Sequence, residues 1–416
     1  MAAASVFSQI LDHANRADPY PLYAQLRRTP VSRADDGTYV VSTYREIVAL
    51  LHDPRVSSDP RHRAEPGGPP TEPGDGVSGL PSSFIALDPP EHDRVRRLLT
   101  RHFGPPHNPR RIAGMVPELV AVVTDLIDGF AGRDRVDIVD DFAYPFPVTV
   151  ICRVLGVPRE DEPRFHAWAA AVVDTVDPTT GDFAERFDRR RQVFAELGRY
   201  LAGLAEAHRR HPGDGMLSGL VTDDDPDGRL SLEEIMSNAA LLLIAGHETT
   251  VNLIANGVLT LLRHPGCLDR LRHRPDFSVP VVEELLRYEP PVQFLTSRVA
   301  LDDIDLDGTT VPRGASITLV LAAGSRDPDH VTDPDRFDPD REHLEHLGFG
   351  GGVHYCFGAP LARLEAQVAL AELARRLERP RLLDDPPPYR TNPVLRGPRH
   401  LPVAFDGLVP AAEPVR

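Results

Sequence analysis

Apolar residues recur every three to four positions along most of the chain, and each such stretch predicts a helix that buries one face. The stretches cover residues 92–103, 115–130, 148–157, 164–173 and 183–208, then 233–263, 279–288 and 360–377. Two shorter helical patterns, PLYAQLRR and REIVALL, flank the strand-like run TYVVST, so residues 20–56 predict a small mixed segment. Short strands and turns are expected again over 299–323 and 380–406. From residue 57 to about 90, proline, glycine, serine and aspartate replace any apolar period, which predicts a long loop of the kind that forms lids or binding walls. No internal repeat or low-complexity linker divides the chain. The expectation is a mainly α fold with small β-sheets, built as one domain over residues 1–416.

Composition narrows the chemistry. All 46 basic residues are arginine, which excludes a lysine Schiff base, a pyridoxal-phosphate anchor and a Walker-type phosphate loop. A formal charge of -16 opposes nucleic-acid binding. The three cysteines, Cys152, Cys267 and Cys356, form no C-x-x-C pair, so neither a disulfide framework nor a zinc ribbon is expected, and a reducing cytoplasm is the simplest compartment. The N-terminal residues lack the pattern of a secretory signal, and the apolar run Ala239–Ala245 is soon interrupted by His247 and Glu248, so no membrane span is expected.

The strongest local signal is Cys356, which follows a glycine-rich approach, Phe349 to Tyr355, and stands just before a predicted helix. Unsatisfied N–H groups and the dipole at a helix start favour a thiolate, the metal-binding form. The glycines permit positive φ and close approach to a bulky planar ligand. One thiolate without partner cysteines suggests an axial ligand to iron held by a macrocycle rather than tetrahedral zinc. The dinucleotide fingerprint fails because Tyr355 replaces its third glycine. A cysteine protease would need a paired histidine that spacing cannot place.

A second signal lies in ALLLIAGHETTVNLIANGVLTLL, where Gly246, His247, Glu248 and Thr249 interrupt an apolar helix. Buried polar groups there imply a ligand cavity or internal water, and Thr249 can bond back to the preceding turn. A plain helix-packing polar cluster is the alternative. The zinc-protease motif fails because Val251 stands where a histidine is needed. A third pattern, Asp223-x-Asp225-x-Asp227-Gly228 closing on Glu234, satisfies the calcium-loop expression, but Ser231 and Glu234 also make a capping box for the next helix, which explains the same residues locally.

Residues 349–363, FGGGVHYCFGAPLAR, resemble the haem-ligand signature of the cytochrome P450 family at every position, and the resemblance extends over nearly the whole chain. It implies a mainly α P450 fold enclosing haem b, with Cys356 as the iron's axial ligand, Phe349 packed beside the sulfur, and Gly350 and Gly358 next to the macrocycle. His92, Arg96, Arg298 and His354 would meet the haem propionates. Glu248 and Thr249 would deliver protons to dioxygen. Glu284 and Arg287, with Arg336 of PDRF, match the family's structural carboxylate–arginine network. Substrate would meet the loop at 57–88 and residues Ala240, Ala245, Gly246, Val292, Phe294, Leu295, Val394 and Leu395. Gly324-Ser325 departs from the alanine and asparagine usual in the family.

The activity implied is a monooxygenase acting on a hydrophobic or natural-product-like organic molecule, with dioxygen as co-substrate. NAD(P)H electrons would arrive through a ferredoxin and ferredoxin reductase, with Arg97 and Arg101 as contacts, and the protein would work as a monomer. A peroxide-driven haem-thiolate enzyme and a non-catalytic haem sensor are the alternatives, and the Glu248-Thr249 pair argues against both.

Overall fold

Leu232–Arg263 forms one helix of 32 residues, and the other elements are arranged around it. The computed structural model describes residues 5–62, 82–104, 109–165, 167–168, 171, 183–224 and 228–411. The central helix begins at a capping box, in which the Ser231 hydroxyl accepts from the Glu234 N–H while the Glu234 carboxylate accepts from the Ser231 N–H. From Val251 to Leu261 every residue is buried, because helices Pro145–Leu155, Phe183–Arg210 and Ala359–Arg376 pack around it. An all-round apolar sequence demands such enclosure. Despite Gly246 and Thr249, the helix continues unbroken: the Thr249 hydroxyl donates to the Ala245 carbonyl at 2.7 Å.

The remaining predicted helices form as Tyr20–Leu26, Tyr44–Leu51, Glu91–Phe103, Val116–Asp128 and Ser278–Tyr288. The stretch 164–173 lies largely outside the described residues, as do residues 63–81 of the predicted loop.

A five-stranded sheet orders Val31–Arg33, Tyr39–Val41, Ser316–Leu319, Leu295–Ala300 and Val56–Ser57. Tyr39 pairs in parallel with Ile317, and the other neighbours are antiparallel. Strand Arg135–Asp137, inside the helical half, is too short at three residues to be legible as a strand; it joins Pro402–Ala404 near the C-terminus. Among the described residues, no helix is long and apolar enough to cross a membrane.

Candidate active site

The cysteine loop is bent by two left-handed glycines. Gly350 has φ +66°, and Gly352 has φ +63° with the Leu51 carbonyl so near that a Cβ would lie 1.9 Å from its oxygen. No other residue type fits at 352. The turn carries Cys356 to the start of helix Ala359–Arg376, where the N–H groups of Gly358 and Ala359 donate to its sulfur. Burial pushes the Cys356 thiol up, while those donors and the guanidinium groups of Arg96 and Arg363 pull it down. A bound cation deprotonates such a thiol outright, so the site is poised for metal ligation rather than for free-thiolate chemistry.

Cys356 borders a cavity with about 1330 Å³ of space free of protein atoms, its mouth included. Phe349, Gly350 and Gly358 border it beside the sulfur, and Ala245, Gly246, Thr249, Val292 and Leu295 form part of its wall.

Four of the expected substrate contacts need correction. Ala240 is buried in the helical core, and its neighbours Leu241 and Leu242 line the cavity instead. Phe294 points the other way from Leu295, as alternation along an extended chain requires: its ring packs edge-on against Phe7 at 5.8 Å and Tyr23 at 6.3 Å. Val394 packs on that same N-terminal cluster, and Leu395 forms an isolated bridge with Val292 behind the wall. From the predicted loop, Phe84 and Ile85 reach the cavity.

The cationic groups gather at one side. His354 and Arg298 border the cavity, and the His92 ring lies 4.5 Å from the His354 ring. Arg96 donates to the Tyr355 carbonyl at 2.6 Å. Burial, with His92, Arg298 and Arg96 nearby, lowers His354 to about 4, and burial also lowers Arg96 and Arg298. His92 Nε2, Arg96 Nη1 and His354 Nδ1 are buried without a hydrogen-bond partner. Crowded cations with orphaned polar atoms are costly unless an anion joins them. A flat ligand carrying two carboxylates and an iron fits this donor set: its carboxylates would meet His92, Arg96, Arg298 and His354, and Cys356 would meet the metal. Among the described residues the one cluster of three potential metal-ligating side chains, Asp137, Asp140 and His400, does not include Cys356.

Glu248 and Thr249 part company. Thr249 lines the cavity, whereas Glu248 turns away from it around the helix, where its Oε1 lies 3.0 Å from Arg390 Nε and accepts from Asn252 at 3.4 Å. Burial raises the Glu248 carboxyl, with Arg390, Asn252 and Arg399 opposing.

Behind the cysteine loop, Glu284 and Arg287 are fully buried and joined by two hydrogen bonds of 2.7 Å. Arg336 is not their third member. Its side chain is exposed and pairs with Asp338, and only its carbonyl accepts from Arg287. Arg341 takes the place instead, its Nε 3.2 Å from Glu284 Oε1. The chain turn at PDRF points its arginine outward, and nothing in the local spacing distinguishes 336 from 341. The Gly324-Ser325 departure has a use here: Ser325 accepts from Arg287 through its carbonyl and from the Leu347 N–H through its hydroxyl, tying the network to the cysteine loop. A second clamp was missed. Glu283 pairs with Arg363 and His346; burial works against its charge, but these partners hold it down at about 2. The i-1 neighbour of Glu284 and the arginine of the cysteine helix were the available signal.

The calcium-type loop lies partly outside the described residues, which omit Asp225 and Asp227. Its other acids are engaged elsewhere: Asp223 with His102, Asp224 with Arg229, and Glu234 with Ser231 and Arg94.

Residues 75–274 and 279–403 match the family model for cytochrome P450. The chain is 40% identical to the cytochrome P450 monooxygenase PikC of Streptomyces venezuelae, over 94% of this chain and 91% of that protein. It is 37% identical to the 6-deoxyerythronolide B hydroxylase of Saccharopolyspora erythraea, over 94% of this chain and 96% of that protein. The crystal structure of ligand-free Mycobacterium smegmatis CYP164A2 superposes with a TM-score of 0.85 at 41% identity, covering 96% of this chain and 99% of that one. The chain belongs to the cytochrome P450 family. It is a haem-dependent monooxygenase, with haem b as cofactor, dioxygen as co-substrate, and electrons drawn from NAD(P)H through redox partners.

Proposed function

We propose that the chain works as one domain and a monomer that oxidises a hydrophobic or natural-product-like organic molecule, with Cys356 as the single protein ligand to haem iron. The observation that carries this reading is the lone sulfur on the cavity wall, beneath backbone donors and beside Arg298 and three further groups, His92, Arg96 and His354, that each bury an unpartnered nitrogen. The sheet joining residues near 31–57 to those near 295–319 supports a single domain. Three free cysteines support a reducing cytoplasm.

Haem b bound here supplies the oxidising chemistry, placing one atom of dioxygen in the substrate and the other in water. The chain's own residues hold and order the reaction. His92, Arg96, Arg298 and His354 anchor the propionates. Leu241, Leu242, Ala245, Val292 and Leu295 bind substrate by excluding water, and a vitamin D(3) hydroxylase and a 6-deoxyerythronolide B hydroxylase among the relatives support the same substrate class. The Thr249 hydroxyl, held by the Ala245 carbonyl, presents its oxygen to the cavity and passes protons that Glu248 gathers away from the cavity.

In Thr249→Ala, NAD(P)H consumption is expected to continue. Product formed per NAD(P)H should fall by at least about 10-fold, short of the roughly 10²–10⁴ of a full acid–base contribution because water takes over part of the hydroxyl's role. Unchanged coupling would remove Thr249 from the relay.

Electrons enter from a ferredoxin and its reductase on the side of helix Glu91–Phe103, which touches the cysteine loop through Arg96 and through the Phe103 ring, 4.5 Å from that of Phe357. Arg97 is exposed on this helix and Arg101 half-buried. Reversing both to glutamate should slow reduction by an acidic ferredoxin about 10-fold at low ionic strength, with the difference shrinking in salt. Stopped-flow reduction with an unaltered rate and salt dependence would exclude this docking face.

A further inference from the structure

Two buried carboxylate–arginine pairs flank the active site, and their geometries differ. Glu284–Arg287 is bidentate and aligned, and Arg287 also donates to the carbonyls of Ser325, Pro334 and Arg336. Such a pair is a fixed brace. Glu248–Arg390 approaches to 3.0 Å without the alignment of a hydrogen bond, and Glu248 Oε2, Arg390 Nε, Arg390 Nη2 and Asn252 Oδ1 are all buried and unpartnered. Two donors and two acceptors are thus left over where Arg390 meets the central helix, so the pair is not locked as the first one is. The turn that carries Arg390 is pressed on the central helix: the Arg390 N–H donates to the Gly397 carbonyl, and a Cβ at Gly397 would lie 2.2 Å from Asn252 Oδ1.

The geometry points to Arg390 as a positioning residue for proton delivery, holding the Glu248 carboxylate off the cavity face of the central helix by a loose ion pair and releasing it toward Thr249. The inference rests on the Glu248–Thr249 relay proposed above and names the group that governs it. The proton balance is simple. Glu248 takes one proton that originates in bulk solvent and gives one up on the cavity side by way of the Thr249 hydroxyl, returning to the carboxylate. The established activity supplies the dioxygen and electrons that consume it. Arg390 lies outside the cavity wall, so it acts through Glu248 alone.

The charged and titratable surroundings of Glu248 set the sign of the test. Arg390 and, farther off, Arg399 face it from the C-terminal segment; His247 adjoins it on its own helix, and the Tyr144 ring meets that of His247 at 4.4 Å. Arg399 is itself occupied by Asp140, which also pairs with His400. Losing the Arg390 cation therefore favours the neutral acid, and the Glu248 limb of the pH profile moves up.

In the haem-loaded enzyme, Arg390→Gln should leave the haem spectrum and substrate KM unchanged and lower kcat and coupling several-fold. Its limb should shift to higher pH by about 1–3 units, the usual effect of one close opposite charge. Arg390→Lys should restore the limb, and Glu248→Gln combined with Arg390→Gln should match Glu248→Gln alone. A pH profile unmoved in Arg390→Gln, or a change confined to thermal stability or haem content, would overturn the inference. Should Arg390→Gln not fold, Arg390→Lys decides: it keeps the charge but not the spare donors, so the solvent isotope effect on kcat changes while the limb stays, and an unchanged isotope effect counts against Arg390. If Glu248→Gln itself leaves coupling intact, the relay fails, a result distinct from failure of Arg390 alone.

Discussion

Replacing Cys356 by serine is expected to abolish monooxygenase turnover and the red-shifted absorbance of the ferrous carbonyl complex. Serine is nearly isosteric and can keep the backbone donors of Gly358 and Ala359, so the loop and its helix should form as before. What is lost is the sulfur. An alcohol in this setting does not ionise, even with Arg96 and Arg363 nearby, and a neutral oxygen cannot push electron density toward the iron as a thiolate does. The loss of activity should exceed the roughly 10–100-fold that removal of an outer-shell partner costs a metal site. Carbon monoxide difference spectra and product assays on hemin-supplemented protein give the answer. A red-shifted band surviving in Cys356→Ser would mean that another residue holds the iron.

The second large effect belongs to the brace behind the loop. Glu284→Gln keeps shape and removes one charge, leaving the fully buried Arg287 guanidinium and the adjoining Arg341 without a carboxylate. Breaking one side of a buried pair costs about 3–5 kcal/mol. With an unfolding entropy of about 2.1 cal/mol/K per residue, that lowers Tm by roughly 3–6 °C in a chain of this length. Haem retention should fall with it, since Ser325 and Leu347 connect the same network to the cysteine loop. The arginines separate the two assignments. Arg341→Ala should destabilise markedly, whereas Arg336→Ala, at an exposed side chain, should stay within about 0.5 kcal/mol. Differential scanning calorimetry showing the reverse order would restore Arg336 to the network.

These two results would test different kinds of legibility. The haem-ligand loop was readable because its constraints are local: a thiol just ahead of a helix start, and glycines where φ is positive or a carbonyl crowds the backbone. Helices were readable for the same reason, since a period of three to four is a property of neighbours in sequence. The third arm of the Glu284 network was not, because Arg336 and Arg341 differ only in how the chain turns between them. Glu248 shows the same limit. It stands beside Thr249 in the sequence, yet adjacent helical residues point about 100° apart, so one lines the cavity and the other meets Arg390.

From sequence alone came the helical class, the cysteine placed just ahead of a helix, the polar break in the central helix and, through the signature, the family. Tertiary structure decided which residues meet across distance: Arg390 on Glu248, Arg341 on Glu284, Arg363 on Glu283, and Phe294 turned into the N-terminal cluster instead of toward substrate. The physical reason is one of range. Backbone preference and periodic burial are set within a few residues, whereas a buried charge finds its partner wherever packing brings one, and that depends on the whole fold at once.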